Sequence, residues 1–243
     1  MRRLVREAII GLSGLVLRDN SAKVVFYHDV GRKWTPMGTY AETFWRHWRY
    51  LRPTDVVCFD DGFRGIWDER EKWASDEVKA QGRGGIKKIV FLAAGLVGKP
   101  GYLTWDEVRE LQDKCDFQFQ SHTWSHQTLA GPFNDEVASP PYGRTDEWFR
   151  HELVDSRAEI ERRIGSRVTE LCFPVGHFSE DVVSRCKAAG YEKVYASYPG
   201  NLSDGYVQPR CLVQDISPRA LRGVLAGGMA PLAGRYRSRH FYS

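Results

Sequence analysis

The sequence lacks the marks of several protein classes. Its cysteines are odd in number and include no C-x-x-C pair, which argues against a disulfide framework or a cysteine zinc cluster. They are Cys58, Cys115, Cys172, Cys186 and Cys211, and we predict that they are reduced core residues in a reducing compartment. No apolar run reaches the roughly 18 residues that a transmembrane helix needs, and no internal repeat or low-complexity block is present.

Concentrated basic charge is also missing. The net charge of +4 comes from charges of both signs that are interspersed along 243 residues, so we expect no nucleic-acid partner. The start, "MRRLVRE" before "AIIGLSGLVL", resembles a signal peptide, but Glu7 interrupts the basic segment and no clear cleavage site follows. We predict an N-terminal helix over 1–22 and a basic tail over 231–243. Both are compatible with peripheral membrane contact, and the expected location is cytoplasmic, at the membrane face.

What the sequence does contain is an alternation of short β-branched runs with helical patterns from Lys23 onward. Thr104 with Glu107 forms a capping box, and Thr145 and Gly165 bound one long predicted helix. About seven strand–helix units predict an α/β fold, a distorted, seven-stranded (β/α) barrel in a single domain over residues 23–230. In such a barrel the catalytic residues lie at the C-terminal ends of strands and in the loops that follow.

Titratable residues collect at these predicted strand ends: His28, Asp29, Asp60, Asp61, His122, His126 and His177. Two histidines four residues apart, with a carboxylate from another strand end, form a ligand set that leaves open positions on a metal ion. One of two adjacent aspartates can bind the metal while the other acts as a base on activated water. Read alone, "DDG" is equally compatible with a turn that carries two solvated carboxylates.

Several segments together resemble the polysaccharide deacetylase family in their order and spacing. They are "FYHDV", "CFDDGF", "GYLTWDEVREL", "FQSHTWSHQTL" and "ELCFPVGHF", and the similarity spans roughly residues 23–212. The resemblance implies a (β/α) barrel that removes N- or O-acetyl groups from glycans with a divalent metal. We expect zinc, with cobalt, nickel or manganese as alternatives.

The resemblance also implies roles for individual residues. Asp60 matches the catalytic base, and the metal ligands correspond to Asp61, His122 and His126. Val175 stands where the family commonly has tyrosine, and its backbone N–H corresponds to the donor that stabilises the oxyanion.

Two features depart from the family pattern. Cys172 occupies a position where many members carry an arginine. The Leu-x-x-His motif that carries the general acid is missing after "QPRCLVQDIS", and only His240 follows it. We therefore treat His177 and His28 as candidates for the acid, although His28 could instead brace an aspartate and His177 could contact substrate.

The predicted function is a metal-dependent hydrolase that removes an acetyl group from an N-acetylated sugar in a glycan or glycan precursor of cell-surface polysaccharide metabolism. Trp124, Phe178 and Tyr142 are the candidates for contact with this carbohydrate, and the aperiodic segment 131–144 is expected to shape the groove. Two alternatives stay open. One is a deformylase or another amidase on the same scaffold; the other is a metal-binding, glycan-binding protein with weak or lost catalysis.

Overall fold

A computed structural model describes residues 8, 10, 12, 21–31, 38–78, 85–133, 143–197, 205–214 and 216–227. The predicted N-terminal helix lies outside these ranges except for Ala8, Ile10 and Leu12, which are helical. The basic tail, Tyr142 and most of the segment 131–144 also lie outside the described residues. Within the described ranges, no helix has both the length and the apolar character that crossing a membrane requires.

The framework is a curled sheet of parallel strands. The strands in chain order are β1 Val24–Tyr27, β2 Asp29–Gly31, β3 Gly38–Tyr40, β4 Val56–Phe59, β5 Lys87–Leu92, β6 Phe117–Ser121, β7 Glu170–Cys172, β8 Lys193–Tyr195, β9 Val207–Gln208 and β10 Cys211–Leu212. Eight of them pair in the order β10-β1-β4-β5-β6-β7-β8-β9, while β2 and β3 form a separate parallel pair. Runs such as "VVFY" and "KKIVFL" are largely buried, as expected for parallel strands that are covered on both faces.

The last predicted strand is split into two short strands. The sequence predicts one strand across "YVQPRCLV", but Pro209 and Arg210 interrupt it, so that β9 pairs with β8 and β10 pairs with β1. Proline has no N–H to donate to a ladder, which explains the break. One short stretch of chain therefore links both edges of the sheet. The predicted distorted (β/α) barrel is confirmed, and the predicted count of seven strands becomes eight because the seventh is split.

Helices cover the outer face of the sheet. They are α1 Ala41–Trp48, α2 Gly65–Asp68, α3 Arg70–Ala74, α4 Asp76–Val78, α5 Trp105–Cys115, α6 Asp146–Arg150, α7 Ser156–Ile164, α8 Glu180–Ala188 and α9 Pro218–Leu225. The capping box of Thr104 and Glu107 is present, Thr145 caps α6, and Gly165 ends α7 with a left-handed backbone. The single helix predicted between Thr145 and Gly165 is wrong in one respect, because the π-helical turn His151–Asp155 separates α6 from α7.

Apolar side chains pack on both faces of the sheet. The large core lies between sheet and helices. A smaller cluster on the opposite, inner face comprises Phe26, Cys58, Ile89, Phe91, Cys172 and Tyr195. All five cysteines are free and buried, which confirms their prediction as reduced core residues. The inner cluster forms the apolar floor beneath the strand ends that carry the titratable residues.

Gly65 offers a test of how tightly α2 is seated against β2. An added Cβ would lie 2.0 Å from the Val30 carbonyl oxygen and 2.2 Å from Asp29 Oδ1. We expect Gly65→Ala to lower the free energy of unfolding by about 1–3 kcal/mol, as overpacking of a fitted site does. The matched control is Gly85→Ala, where nothing lies within 4 Å of the added carbon. Urea denaturation of both variants measures the difference, and equal midpoints would contradict the packing shown here.

Candidate active site

The turn after β4 brings two carboxylates into the barrel rim. Asp61 and Gly62 both have left-handed backbones, with φ of 70° and 79°. Glycine is favoured at position 62 because side chains strain this left-handed backbone, and an added Cβ would also lie 2.7 Å from Leu92 Cδ2. Asp60 is 2% exposed and Asp61 is 5% exposed. These carboxylates are therefore buried at the site, and the reading of "DDG" as a solvated turn is wrong.

The loop after β6 carries the two histidines of the predicted ligand set. It is an irregular loop rather than a helix, with φ of 69° at Thr123 and 62° at His126. Backbone N–H groups of the adjacent segment hold it: Ala94 donates to the Thr123 carbonyl at 3.0 Å, and Gly95 donates to the Trp124 carbonyl at 2.8 Å. The two left-handed residues fold the loop so that both imidazoles reach Asp61.

Three ligand atoms converge at this point. Nε2 of His122 lies 3.3 Å from Asp61 Oδ1, and Nε2 of His126 lies 3.0 Å from the same oxygen. Nδ1 of His122 lies 2.8 Å from the Cys172 carbonyl oxygen. A carbonyl can only accept, so Nδ1 carries a proton and Nε2 is the ring nitrogen that faces Asp61. The predicted ligands Asp61, His122 and His126 are thus brought together by the structure.

This arrangement fits a divalent metal. Among the described residues, none gives the buried Asp61 Oδ1 a well-formed hydrogen bond, although buried oxygens normally accept one. Atoms that bind zinc at about 2.0–2.1 Å in a tetrahedral site lie about 3.3 Å apart, close to the separations found here. Burial raises the pKa of Asp61, but His126 and His122 outweigh it and hold this pKa well below its usual range. The three residues could therefore hold a cation through an ionised carboxylate and two imidazole nitrogens.

A second group of potential ligands, Asp60, His122 and Cys172, lies within the same short distance. It is not available to a cation, because Arg210 occupies it. Nη1 of Arg210 donates to Asp60 Oδ1 at 2.7 Å, and Nη2 donates to Oδ2 at 2.8 Å. Nη2 also lies 2.8 Å from Cys172 Sγ. The two adjacent aspartates are therefore distinguished by their partners, since one faces the two imidazoles and the other a guanidinium.

Arg210 is the principal site residue that the sequence did not reveal. It is fully buried, and its guanidinium lies 4.1 Å from the ring centroid of Phe26. Burial raises the pKa of Asp60, but the Arg210 charge outweighs it and holds this pKa below its usual value. Arg210 thus supplies the positive charge that is missing at Cys172. The only sequence signal was an arginine after proline inside a predicted buried strand.

The two candidates for the general acid lie in different surroundings. His28 stands at a bend between β1 and β2, where the sequence predicts one continuous strand. Its Nδ1 lies 2.7 Å from Gln214 Oε1. His177 is half-buried and follows the 3-10 turn Pro174–Gly176. Both histidines stay candidates for the general acid.

Val175 has a strained backbone at the rim. Its φ of 58° is a true outlier for a β-branched residue, and its side chain is 42% exposed. The two following N–H groups are used locally, since Gly176 donates to Phe173 and His177 donates to Pro174. The role predicted for the Val175 N–H as the oxyanion donor stays a prediction.

The aromatic candidates for carbohydrate contact separate into three groups. Trp124 is half-buried, with its ring 4.5 Å from the His151 ring. Phe178 is 3% exposed and stacks on Phe173 at 5.0 Å, so it packs in the core and its contact with substrate stays a prediction. Tyr142 lies outside the described residues. A pair that the sequence analysis missed, Phe63 and Tyr102, stacks at 5.0 Å directly after the turn of Asp61 and Gly62.

Comparison with known proteins agrees with this geometry. The sequence model of the polysaccharide deacetylase family matches residues 52–194, more than half of the chain. The chain therefore belongs to the polysaccharide deacetylase family. It is 22% identical over 148 residues to YxkH of Bacillus subtilis (strain 168), whose name places it provisionally among polysaccharide deacetylases. That match covers 61% of this chain and 46% of YxkH, so the chain spans about half the length of this relative.

Solved structures share the fold at low sequence identity. BC0361, a polysaccharide deacetylase from Bacillus cereus, superposes with a TM-score of 0.67 at 17% identity, covering 84% of this chain and 68% of that chain. IcaB from Ammonifex degensii gives 0.66 at 17% identity, with coverages of 88% and 99%. The deacetylase PplD of Streptococcus pyogenes, solved with acetate, gives 0.63 at 16% identity, with coverages of 86% and 98%. These likenesses establish the common barrel.

The buried pair of Asp60 and Arg210 generates a stability prediction. Removing the guanidinium leaves a buried carboxylate without its partner, so we expect Arg210→Met to lower the free energy of unfolding by about 3–5 kcal/mol. The double variant Asp60→Asn, Arg210→Met should recover part of that loss. Arg167→Met is the control, because Arg167 is 81% exposed in its pair with Glu192 and such pairs contribute about 0–1 kcal/mol. Chemical denaturation measures all three, and equal losses for the two single variants would contradict the buried pair.

Proposed function

We propose that this protein is a metal-dependent hydrolase that removes the acetyl group from an N-acetylated sugar of a glycan or glycan precursor. One observation carries the proposal. An aspartate held by a buried guanidinium stands next in the chain to an aspartate that faces two imidazoles. That combination supplies a base beside a cation site, which is what hydrolysis of an unreactive amide requires.

The two aspartates have separate roles in this proposal. Asp61, His122 and His126 would hold a divalent cation, which would supply Lewis acidity and make water more acidic at neutral pH. Asp60 takes the proton of the attacking water. Each of its oxygens accepts one N–H from Arg210, and each retains a further lone pair for that proton. Arg210 thereby fixes the orientation of the base and keeps it ionised.

Two further groups act on the acetamide. The Val175 N–H donates to the carbonyl oxygen as negative charge develops there, a contribution of about 3–4 kcal/mol per donor in other enzymes. His28 protonates the leaving amine nitrogen. Its Nδ1–H donates to Gln214 Oε1, so the ring is oriented while Nε2 carries the proton that is transferred. This assignment replaces the absent Leu-x-x-His histidine with one from the other end of the chain.

The substrate class follows from family membership and from the aromatic rings at the rim. Phe63 and Tyr102 lie beside the turn that carries the base, and Trp124 lies between the two histidine ligands. Such faces stack on the apolar face of a sugar ring. A precursor at the cytoplasmic face of a membrane is the substrate we favour, and this rests on the sequence alone.

The central test separates base from ligand. We expect Asp60→Asn to abolish acetate release, because an asparagine amide cannot take the proton of the attacking water. The variant should retain the metal, because position 60 is not one of the proposed ligands. His122→Ala should lose both acetate release and metal. Asp113→Asn, at an exposed aspartate of α5, is the control and should resemble wild type. Acetate is quantified over a panel of N-acetylated sugars and precursors, and metal content is measured by elemental analysis.

Acetate release by Asp60→Asn at the wild-type rate would contradict the base assignment. Formate measured in the same reactions distinguishes a deformylase from a deacetylase. Wild-type protein that binds metal and glycan but releases neither acid would favour the glycan-binding alternative.

The acid assignment has its own test. We expect His28→Gln to lower kcat for an N-acetyl sugar by about 10²–10⁴, with a small change in KM, because the amine can no longer leave as a neutral group. An aryl acetate needs no proton on its leaving group, so the variant should hydrolyse it at nearly the wild-type rate. His177→Gln is the parallel variant and should leave both rates near wild type. Equal losses on both substrates for His28→Gln would show that His28 does not act as the acid.

A further inference from the structure

The loop between the two histidine ligands is fastened by a buried glutamate from the helical layer. Glu152 Oε2 accepts the backbone N–H of Trp124 at 3.0 Å and that of Ser125 at 2.9 Å. Its Oε1 accepts the hydroxyl of Ser125 at 2.7 Å. One carboxylate thus satisfies both backbone donors in the middle of the segment that joins His122 to His126.

Glu152 is an unusual residue for a purely structural contact. It is 1% exposed, and among the described residues no lysine, arginine or histidine forms an ion pair with it. Burying a carboxylate without a cation is costly unless hydrogen bonds replace its water. Here the three replacing donors all belong to the ligand loop. Among the described residues, the hydrogen bonds that compensate the burial of this carboxylate therefore all come from the ligand loop.

The π turn His151–Asp155 presents this carboxylate. Single π turns insert one extra residue into a helix and occur frequently at functional sites. The widened turn leaves carbonyls that other groups satisfy: Ser156 Oγ donates to the Glu152 carbonyl at 2.6 Å, and Tyr191 donates to the Leu153 carbonyl at 2.8 Å. The turn is thus held in place from two sides.

A second connection runs from the same turn to the ligand loop. The Thr123 N–H donates to Ser121 Oγ at 3.1 Å. Ser121 Oγ lies 3.2 Å from Ser156 Oγ, and Ser156 Oγ donates to the Glu152 carbonyl. The loop is therefore tied to the π turn at three successive backbone N–H groups, those of residues 123, 124 and 125.

These ties act against backbone strain. Thr123 and His126 hold left-handed conformations, with φ of 69° and 62°, which non-glycine residues avoid. Such conformations persist only where surrounding contacts over-determine them. Without the Glu152 carboxylate the loop could relax, and the Nε2 atom of His126 would no longer stay 3.0 Å from Asp61 Oδ1.

We propose that Glu152, presented by the π turn His151–Asp155, is a positioning residue that fixes the ligand loop so that both imidazoles converge on Asp61. The proposal rests on the metal site of the proposed function but not on its substrate. Glu152 touches neither metal nor substrate, and its effect reaches the site through the backbone of Trp124 and Ser125.

The test measures metal binding by the folded protein. We expect Glu152→Ala to weaken Zn²⁺ binding by about 10–100-fold, the range found when groups that orient metal ligands are removed. Glu152→Gln keeps an oxygen that can accept both N–H groups, but a neutral acceptor forms weaker hydrogen bonds. Its affinity should fall between those of Glu152→Ala and wild type. Glu159→Gln removes a charge from α7 at a residue that pairs with Arg162 and Arg163, and it should bind like wild type.

Zn²⁺ affinity is obtained by competition with a chromophoric chelator, starting from metal-free protein well below the unfolding temperature. The d–d absorption spectrum of the Co²⁺ form reports ligand geometry and should change in Glu152→Ala. Circular dichroism of each metal-free variant verifies that it is folded. If Glu152→Ala does not fold, Glu152→Gln and Ser125→Ala carry the comparison, and both should still weaken Zn²⁺ binding measurably.

Folded Glu152→Ala with wild-type Zn²⁺ affinity and an unchanged Co²⁺ spectrum would overturn the proposal, as would wild-type affinity in both substitute variants. Absence of acyl release by the wild-type protein would overturn the proposed function and leave these metal measurements intact. The two proposals can therefore fail separately.

Discussion

The buried pair of Asp60 and Arg210 is the interaction on which the site and the barrel both depend. It joins the end of β4 to the break between β9 and β10, residues 150 positions apart. The two parallel hydrogen bonds and the aromatic rings beside the guanidinium stabilise the ion pair. In such a geometry this stabilisation offsets the free-energy cost of removing both charges from water. The contact that spans the split strand is therefore the same one that orients and ionises the candidate base.

Strained backbone conformations are concentrated at the same site. Five non-glycine residues in the described ranges have positive φ, and four of them, Asp61, Thr123, His126 and Val175, lie at the candidate site. Each costs of order 1–3 kcal/mol. The loops that carry them are held by neighbouring strand ends and by Glu152, so their conformations are imposed by the barrel. A rigid rim of this kind presents ligand atoms without the reorganisation that a flexible loop would need.

The parts that the sequence predicted correctly are those with local causes. Alternating runs predicted the strands, capping residues predicted helix starts at Thr104 and Thr145, and the strand-end rule for barrels gathered Asp61, His122 and His126. The π turn and the pairing of Arg210 with Asp60 depend on contacts between distant segments, which no local pattern encodes, whereas Pro209 was a local signal for the split strand that the prediction overlooked. The stacking of Phe178 on Phe173 is likewise decided by packing and could not be predicted from the sequence.

The exchange of Cys172 and Arg210 bears on whether departures from a family motif imply lost catalysis. The base needs a positive charge at one point in space, and either of two strands can deliver it. Here the guanidinium comes from the break after β9, and the smaller thiol fills the space beside it, 2.8 Å from Nη2. By the same reasoning a general acid requires an imidazole near the leaving group rather than a histidine at one place in the sequence. In the proposed function His28, which directly follows β1, takes that place. The departures from the family motif therefore do not by themselves imply lost catalysis.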